Sequence, residues 1–325
     1  MSVRSSGSRW DARTGRLPDG LGAGTSGRRK PDPDRHARTR PAEPGGGTRS
    51  RSDRFIAHYT TSAGLLGIIE SKSIWASHIG YLNDASEFRH AFDTARDIVE
   101  RISVLRERHA PRSPELARLI TEETNHLERG SMPNVFVASF SESGEDLSQW
   151  RGYTRPGDGY TILCSLDAMK EAADARTWRL EPVLYGTAAD SKVASLAQEA
   201  FLALGGGKYA TSPEPERAAF DDFRTALANC APTLKDAAFQ GEREWRLISP
   251  HYDYGSPEVQ WRPGPSYLVP FVEFPLGEPD ASAIRGFGVG PGPNGELASS
   301  ALLMMINQKG YRVGIAMPGM PYRPW

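Results

Sequence analysis

The strongest constraint in this chain is a set of short β-type runs spaced at irregular intervals. They are Phe55–Tyr59, Ile74–Ser77, Val135–Ser141, Tyr160–Cys164, Leu180–Tyr185, Trp245–Ile248, Tyr267–Phe274, Ile284–Val289 and Tyr311–Ala316. Between them lie segments of helical periodicity. Leu65, Leu66, Ile68 and Ile69 form an apolar stripe behind the caps Thr60, Thr61 and Ser62. Phe88, Phe92, Ala95, Ile98, Val99 and Ile102 form a second stripe. Further helices are predicted at Pro114–Glu128, Asp146–Tyr153, Ser191–Leu204, Glu214–Asn229 and Leu297–Lys309. The strands do not alternate with helices as βαβ units require, so the predicted class is α+β.

Residues 1–52 lack an aliphatic pattern and are rich in Arg, Gly, Pro and Ser, which predicts a disordered basic tail. Residues 1–50 carry 11 Lys and Arg against 5 Asp and Glu, whereas the whole chain has a net charge of −1. The body is therefore mildly acidic. A nucleic-acid arm, an address and an unselected leader all fit such a tail. Residues 53–325 are predicted to form one domain, with a helical insert at about 190–232 around Gly205-Gly-Gly207. Two cysteines, Cys164 and Cys230, are too few for a disulfide framework and fit a reducing cytoplasm. No apolar run approaches the roughly 18 residues of a membrane span, so no membrane partner is expected.

Phosphate-loop, zinc-ligand and nucleophile-elbow motifs are missing, as is a repeat of 20–50 residues. Chemistry must come from residues that folding assembles. Glu242 and Glu244 stand two apart at the entry to a strand. In extended backbone they share a face, with Arg243 and Trp245 opposite. Such a pair can steady a developing positive charge; solvated charges on an edge strand are the plain alternative. His58 stands where a strand gives way to a helix, a place that holds either ligand groups or a structural imidazole. Ser139 and Ser141 share a strand face. Asp84 and Glu87 have capping-box spacing, which accounts for Asn83, Asp84 and Glu87 without a ligand. Trp150 and Tyr153 beside a turn read as core fillers or as a stacking surface.

His58-Tyr59-Thr60 followed by the Leu65–Ile69 helix resembles the first motif of ADP-ribosyltransferases. Ser139-Phe-Ser141 resembles their Ser-Thr-Ser strand, with Phe at its centre. Glu242-Arg-Glu244 resembles their Glu-x-Glu, and the order along the chain agrees. From about residue 55 to the C-terminus the chain also resembles a bacterial abortive-infection, phage-resistance family (AbiGi-like). That resemblance rests on His58-Tyr-Thr60, Leu82-Asn-Asp84 with Glu87, Ser139-Phe-Ser141, Trp150 with Tyr153, Gly159-Tyr160, Glu242-Arg-Glu-Trp-Arg246 and Pro321-Tyr-Arg323.

These resemblances imply a split mixed or antiparallel sheet of ADP-ribosyltransferase type with inserted helices. They imply NAD as substrate, no metal, and transfer to a macromolecule, nucleic acid or protein, by a toxin or phage-defence effector. Glu244 would stabilise the ribosyl cation and Glu242 would orient or deprotonate the acceptor. His58, Tyr59, Thr60, Ser139, Ser141, Tyr153 and Tyr160 would hold the cofactor. Asn83, Asp84, Glu87, Trp150 and Arg246 would line the cofactor or acceptor. An NAD or nucleoside glycohydrolase, and a non-catalytic sensor on the same scaffold, are the alternatives.

Overall fold

The computed structural model describes residues 54–82, 86–105, 113–127, 134–154, 157–253, 255–264 and 266–316. The basic tail, Asn83, Asp84 and Pro321-Tyr-Arg323 lie outside the described residues. The chain opens with β1 (Phe55–Thr60), α1 (Ser62–Ser71) and β2 (Ser73–His78). Thr61 caps α1 by accepting the Gly64 N–H, and Lys72 ends it in a left-handed turn. Next come α2 (Ser86–Leu105), α3 (Pro114–Leu127), β3 (Phe136–Ser141), α4 (Leu147–Tyr153), β4 (Tyr160–Ser165) and α5 (Leu166–Asp174). Ser165 caps α5. The next elements are β5 (Arg179–Pro182), β6 (Leu184–Tyr185), α6 (Thr187–Gly205), α7 (Pro215–Cys230) and β7 (Leu234–Lys235). The chain then runs through β8 (Glu244–Ile248), β9 (Gln260–Pro263), β10 (Leu268–Pro275), β11 (Ile284–Val289), α8 (Gly295–Gln308) and β12 (Gly314–Ala316).

The fold is α+β, with a mixed, mostly antiparallel sheet of ten strands. Its centre is β3. One edge of β3 pairs with β8 along its length, from Val137↔Ile248 to Ser141↔Glu244. The other edge is shared. β1 takes its C-terminal end at Ala57↔Ser141, and β2 takes its N-terminal end at Ser77↔Val137 and His78↔Phe136. The sheet therefore forks. One prong runs β1-β4-β11-β12 and the other β2-β10-β9, while β5 borders β8.

Alternation sends Phe136, Ala138, Phe140, Trp245 and Leu247 to one face, where α1, α5 and α8 contribute Leu65, Ile68, Met169, Leu302 and Ile306. The opposite face is divided. Val137 and Ile248 pack beneath the helices α2, α3, α6 and α7, through Phe92, Leu116, Val193, Phe220 and Phe223. Each such large buried side chain contributes about 1.5–3 kcal/mol. Beside this bundle, α4 sets Trp150 on Ala57, Tyr59 and Leu163.

Two local expectations change. The single strand expected over Leu180–Tyr185 breaks at Val183, because β5 pairs with β8 whereas β6 pairs in parallel with β7. Val183 sits between the two and donates its N–H to the Glu244 carbonyl at 2.9 Å. The Pro/Gly-rich stretch after Pro250 contains β9, an edge strand where Pro263 is tolerated. No described helix is long and apolar enough to cross a membrane.

Candidate functional site

Directly opposed residues in an antiparallel pair share a face. The register therefore sets Ser139 beside Arg246, Ser141 beside Glu244, and Ala57 beside Ser141. This row forms a floor between α4 and the β6–β7 ribbon. Glu244, Arg246 and Ser141 are all buried in it.

The extended Glu242–Glu244 segment expected from sequence does not form. Glu242 ends a 3-10 turn begun at Ala237, Arg243 is left-handed at φ 44° and ψ 53°, and the strand begins only at Glu244. The left-handed residue nevertheless turns both carboxylates onto one cation. Lys235 Nζ lies 2.6 Å from Glu242 Oε2 and 2.9 Å from Glu244 Oε2. Phe239 faces the same ammonium, 5.0 Å from its ring centre.

Glu244 is densely held. Arg246 Nε donates to its Oε1 at 2.8 Å and Nη2 to its Oε2 at 3.3 Å, while Nη1 donates to the Pro232 carbonyl at 2.7 Å. The Ser139 hydroxyl also bonds the carboxylate. Burial alone would raise the Glu244 pKa, but Arg246 and Lys235 outweigh it and hold the carboxyl below its ordinary value. The Glu244 N–H donates to the Tyr185 hydroxyl at 2.8 Å. Burial, with Glu244 close by, pushes that phenol up to about 12. Glu242 is the more accessible carboxylate, its side chain 20% exposed against 4% for Glu244.

Tyr153, half-buried on α4 against the Tyr59–Trp150 group, lies within the field of the same cluster. Its pKa is raised by burial and then by the charges of Glu244 and Glu242. Ser141 Oγ donates to the Glu242 carbonyl at 2.9 Å and accepts the Ser143 N–H at 3.2 Å, which fixes the carboxylate-bearing turn. Tyr59 is a pin: its hydroxyl donates to Ser143 O at 2.8 Å and accepts the Asp146 N–H at 2.9 Å, anchoring the start of α4. Trp150 is a buried core residue, edge-on to Tyr59 at 4.7 Å.

His58, Thr60 and Tyr160 do not join this cluster. They alternate onto the opposite face, toward α1, α5 and α8. His58 packs on Phe140 at 5.5 Å. Its Nδ1–H donates to the Ser139 carbonyl at 2.9 Å, within the fork between β1 and β2. Burial lowers its pKa, so the ring is neutral near pH 7 with Nδ1 protonated. Ser139 thus touches both sides, His58 through its carbonyl and Glu244 through its hydroxyl. Glu87 lies in the first turn of α2, remote in sequence from any site residue.

Lys235 and Tyr185 were not legible as site residues. Each sits in a two-residue strand too short for a periodic signal; a lone lysine beside apolar Leu234 was the only cue. A cavity of about 460 Å3 opens along the same row, over Ala57, Thr161 and Leu163 and rimmed by Glu142, Ser143, Glu145 and Arg243. Among the described residues, no group of three or more His, Cys, Asp or Glu could hold a metal ion.

Residues 149–247 match the family described as Protein of unknown function (DUF2971), a span from α4 through most of β8 that takes in Tyr153, Tyr185, Lys235, Glu242, Glu244 and Arg246. No curated protein and no solved structure matches the chain.

Proposed function

We propose that this chain breaks the bond between nicotinamide and ribose in NAD and passes ADP-ribose to a macromolecule, on a split sheet of ADP-ribosyltransferase type. The observation that carries this is the convergence of Glu242 and Glu244 on Lys235, with Ser139 and Ser141 beneath them and Tyr153 alongside. Two of the three motifs behind the resemblance supply that floor. His58, from the third, meets it only through the Ser139 backbone. The AbiGi-like resemblance supports a role as a toxin or phage-defence effector.

The chemistry assigns the two carboxylates different work. As the C1′–N bond breaks, its electron pair leaves with nicotinamide and positive charge grows on the ribose, the problem that glycosidases solve with carboxylates. Glu244 already satisfies two cations, so it sets the geometry and field of the cluster. Glu242, the more exposed, faces the sugar. The acceptor's oxygen or nitrogen then bonds C1′ and gives its proton to Glu242. Tyr153 offers a ring face to the nicotinamide, and the adjoining cavity offers space for the rest of the cofactor or the acceptor.

A second reading is a non-catalytic module. It is favoured by one observation: both oxygens of Glu244 are held by Arg246 and Lys235, as in an ion cluster that only fixes a fold.

The test is incubation of the intact chain and of Glu242→Gln with NAD labelled in the adenylate, with and without cell extract. Transfer predicts nicotinamide release and label on a macromolecule, reduced by roughly a hundredfold or more in the variant. Nicotinamide without labelled macromolecule would make the chain a glycohydrolase. Intact chain that releases no nicotinamide in any extract would leave the module reading.

A further inference from the structure

Arg246, fully buried, and Arg262, partly buried, stand in contrasting circumstances. Arg246 meets a carboxylate with two nitrogens. Arg262, on β9, does not. Its Nη2 donates to the neutral Ser77 hydroxyl at 2.9 Å, and its Nε is buried without a hydrogen-bond partner. None of the described carboxylates forms an ion pair with it. Burial pulls its pKa below the ordinary value. A guanidinium drawn from water and left without an anion is costly, and its planar fork is shaped for an oxyanion.

Tyr267 lies two residues from Val269, which pairs with Arg262, and Tyr81 packs against Tyr267. Tyr81 is 40% exposed and Tyr267 54% exposed, with ring centres 5.8 Å apart. Tyr81 is braced from behind by His78, edge-on at 5.6 Å, and His78 is itself fixed by Asn134 and by the Gly80 N–H. Tyr267 lies in the β9–β10 connection, where its carbonyl accepts the Gly264 N–H at 2.8 Å. Exposed rings of this kind gain little from folding and offer π-faces to a planar group.

We propose that this end of the β2-β10-β9 prong binds a nucleoside phosphate, the base against Tyr81 and Tyr267 and the phosphate on Arg262. The site belongs to the prong opposite β1. It does not depend on the NAD proposal. A free nucleotide and a residue of single-stranded nucleic acid present the same chemistry.

The experiment titrates the full chain with ethenoadenosine monophosphate and with a fluorescein-labelled oligo(dT), following emission and anisotropy. Saturable binding of at least one probe is expected. Tyr267→Ala, at an exposed position, should weaken it roughly tenfold. Arg262→Gln should weaken it by about tenfold or more. A steep fall of affinity with salt assigns the site to a strand, and a shallow one to a nucleotide. Both variants should release nicotinamide as the intact chain does, whereas Glu242→Gln should keep the binding, so the two proposals fail separately. Absence of saturable binding, or binding unchanged in both variants, would overturn the assignment.

Discussion

Lys235 Nζ stands 2.6 Å from Glu242 Oε2, and that ammonium joins a turn to a strand. Its second contact, 2.9 Å to Glu244, lets two like charges occupy one buried corner. The four charges of Lys235, Arg246, Glu242 and Glu244 cancel one another. Any substitution that breaks the balance leaves an uncompensated charge in low dielectric.

Glu244→Ala should therefore destabilise the fold by about 3–5 kcal/mol, because Arg246 and Lys235 lose a shared buried anion. Urea unfolding measures it. A variant within 1 kcal/mol of the parent, by that order of estimate, would mean that water reaches the cluster.

Lys235→Met should force a proton onto the carboxylate pair, since two close carboxylates do not both ionise in a dry site. Its midpoint of urea unfolding should rise as pH falls from 7 toward 5, opposite to the parent. Parallel pH profiles for the two proteins would contradict the placement of Lys235.

Acid should weaken the parent in two stages. His58 has a lowered folded pKa, so the unfolded chain binds the proton first, and stability falls as pH drops below about 6.5. Glu244 also has a lowered folded pKa, so its contribution is present above the unfolded value of about 4.5 and is lost as pH falls through the folded one. His58→Gln should make the first stage shallower without removing it, because burial lowers the His78 pKa too, and should leave the second. Unfolding midpoints from pH 7 to 3 report both.

Arg243→Gly should hold or raise stability, because glycine adopts φ 44° without the cost of about 1–2 kcal/mol that an L side chain bears there. Arg243→Val should lower it, and should also disturb Glu242, whose carbonyl is set by Ser141. Thermal unfolding of the two variants decides the sign.

Sequence periodicity placed most of the larger elements, because alternation and helical stripes are local. The cap of the first helix was legible for the same reason: Thr61 acts within three residues. The carboxylate pair was legible as chemistry but not as backbone, since no local pattern announces a left-handed arginine. Lys235 and Tyr185 were hidden because their partners lie 7–9 and 59 residues away, across a two-strand ribbon that periodicity does not mark. His58 was expected to hold the cofactor that Glu244 acts on, and alternation sets its side chain on the opposite face of the sheet from Glu244. That outcome follows from the pairing Ala57↔Ser141, which only the folded register reveals.

The fork at β3 also bears on synthesis. β1 and β2 are made early, but the strand that both must join is residues 136–141, and that strand's other edge waits for residues 244–248. During translation both prongs hold unpaired backbone while the helices between them emerge. The central seam can close only after Ile248 has been made, so a nascent chain of this topology exposes unpaired strand edges through much of its elongation.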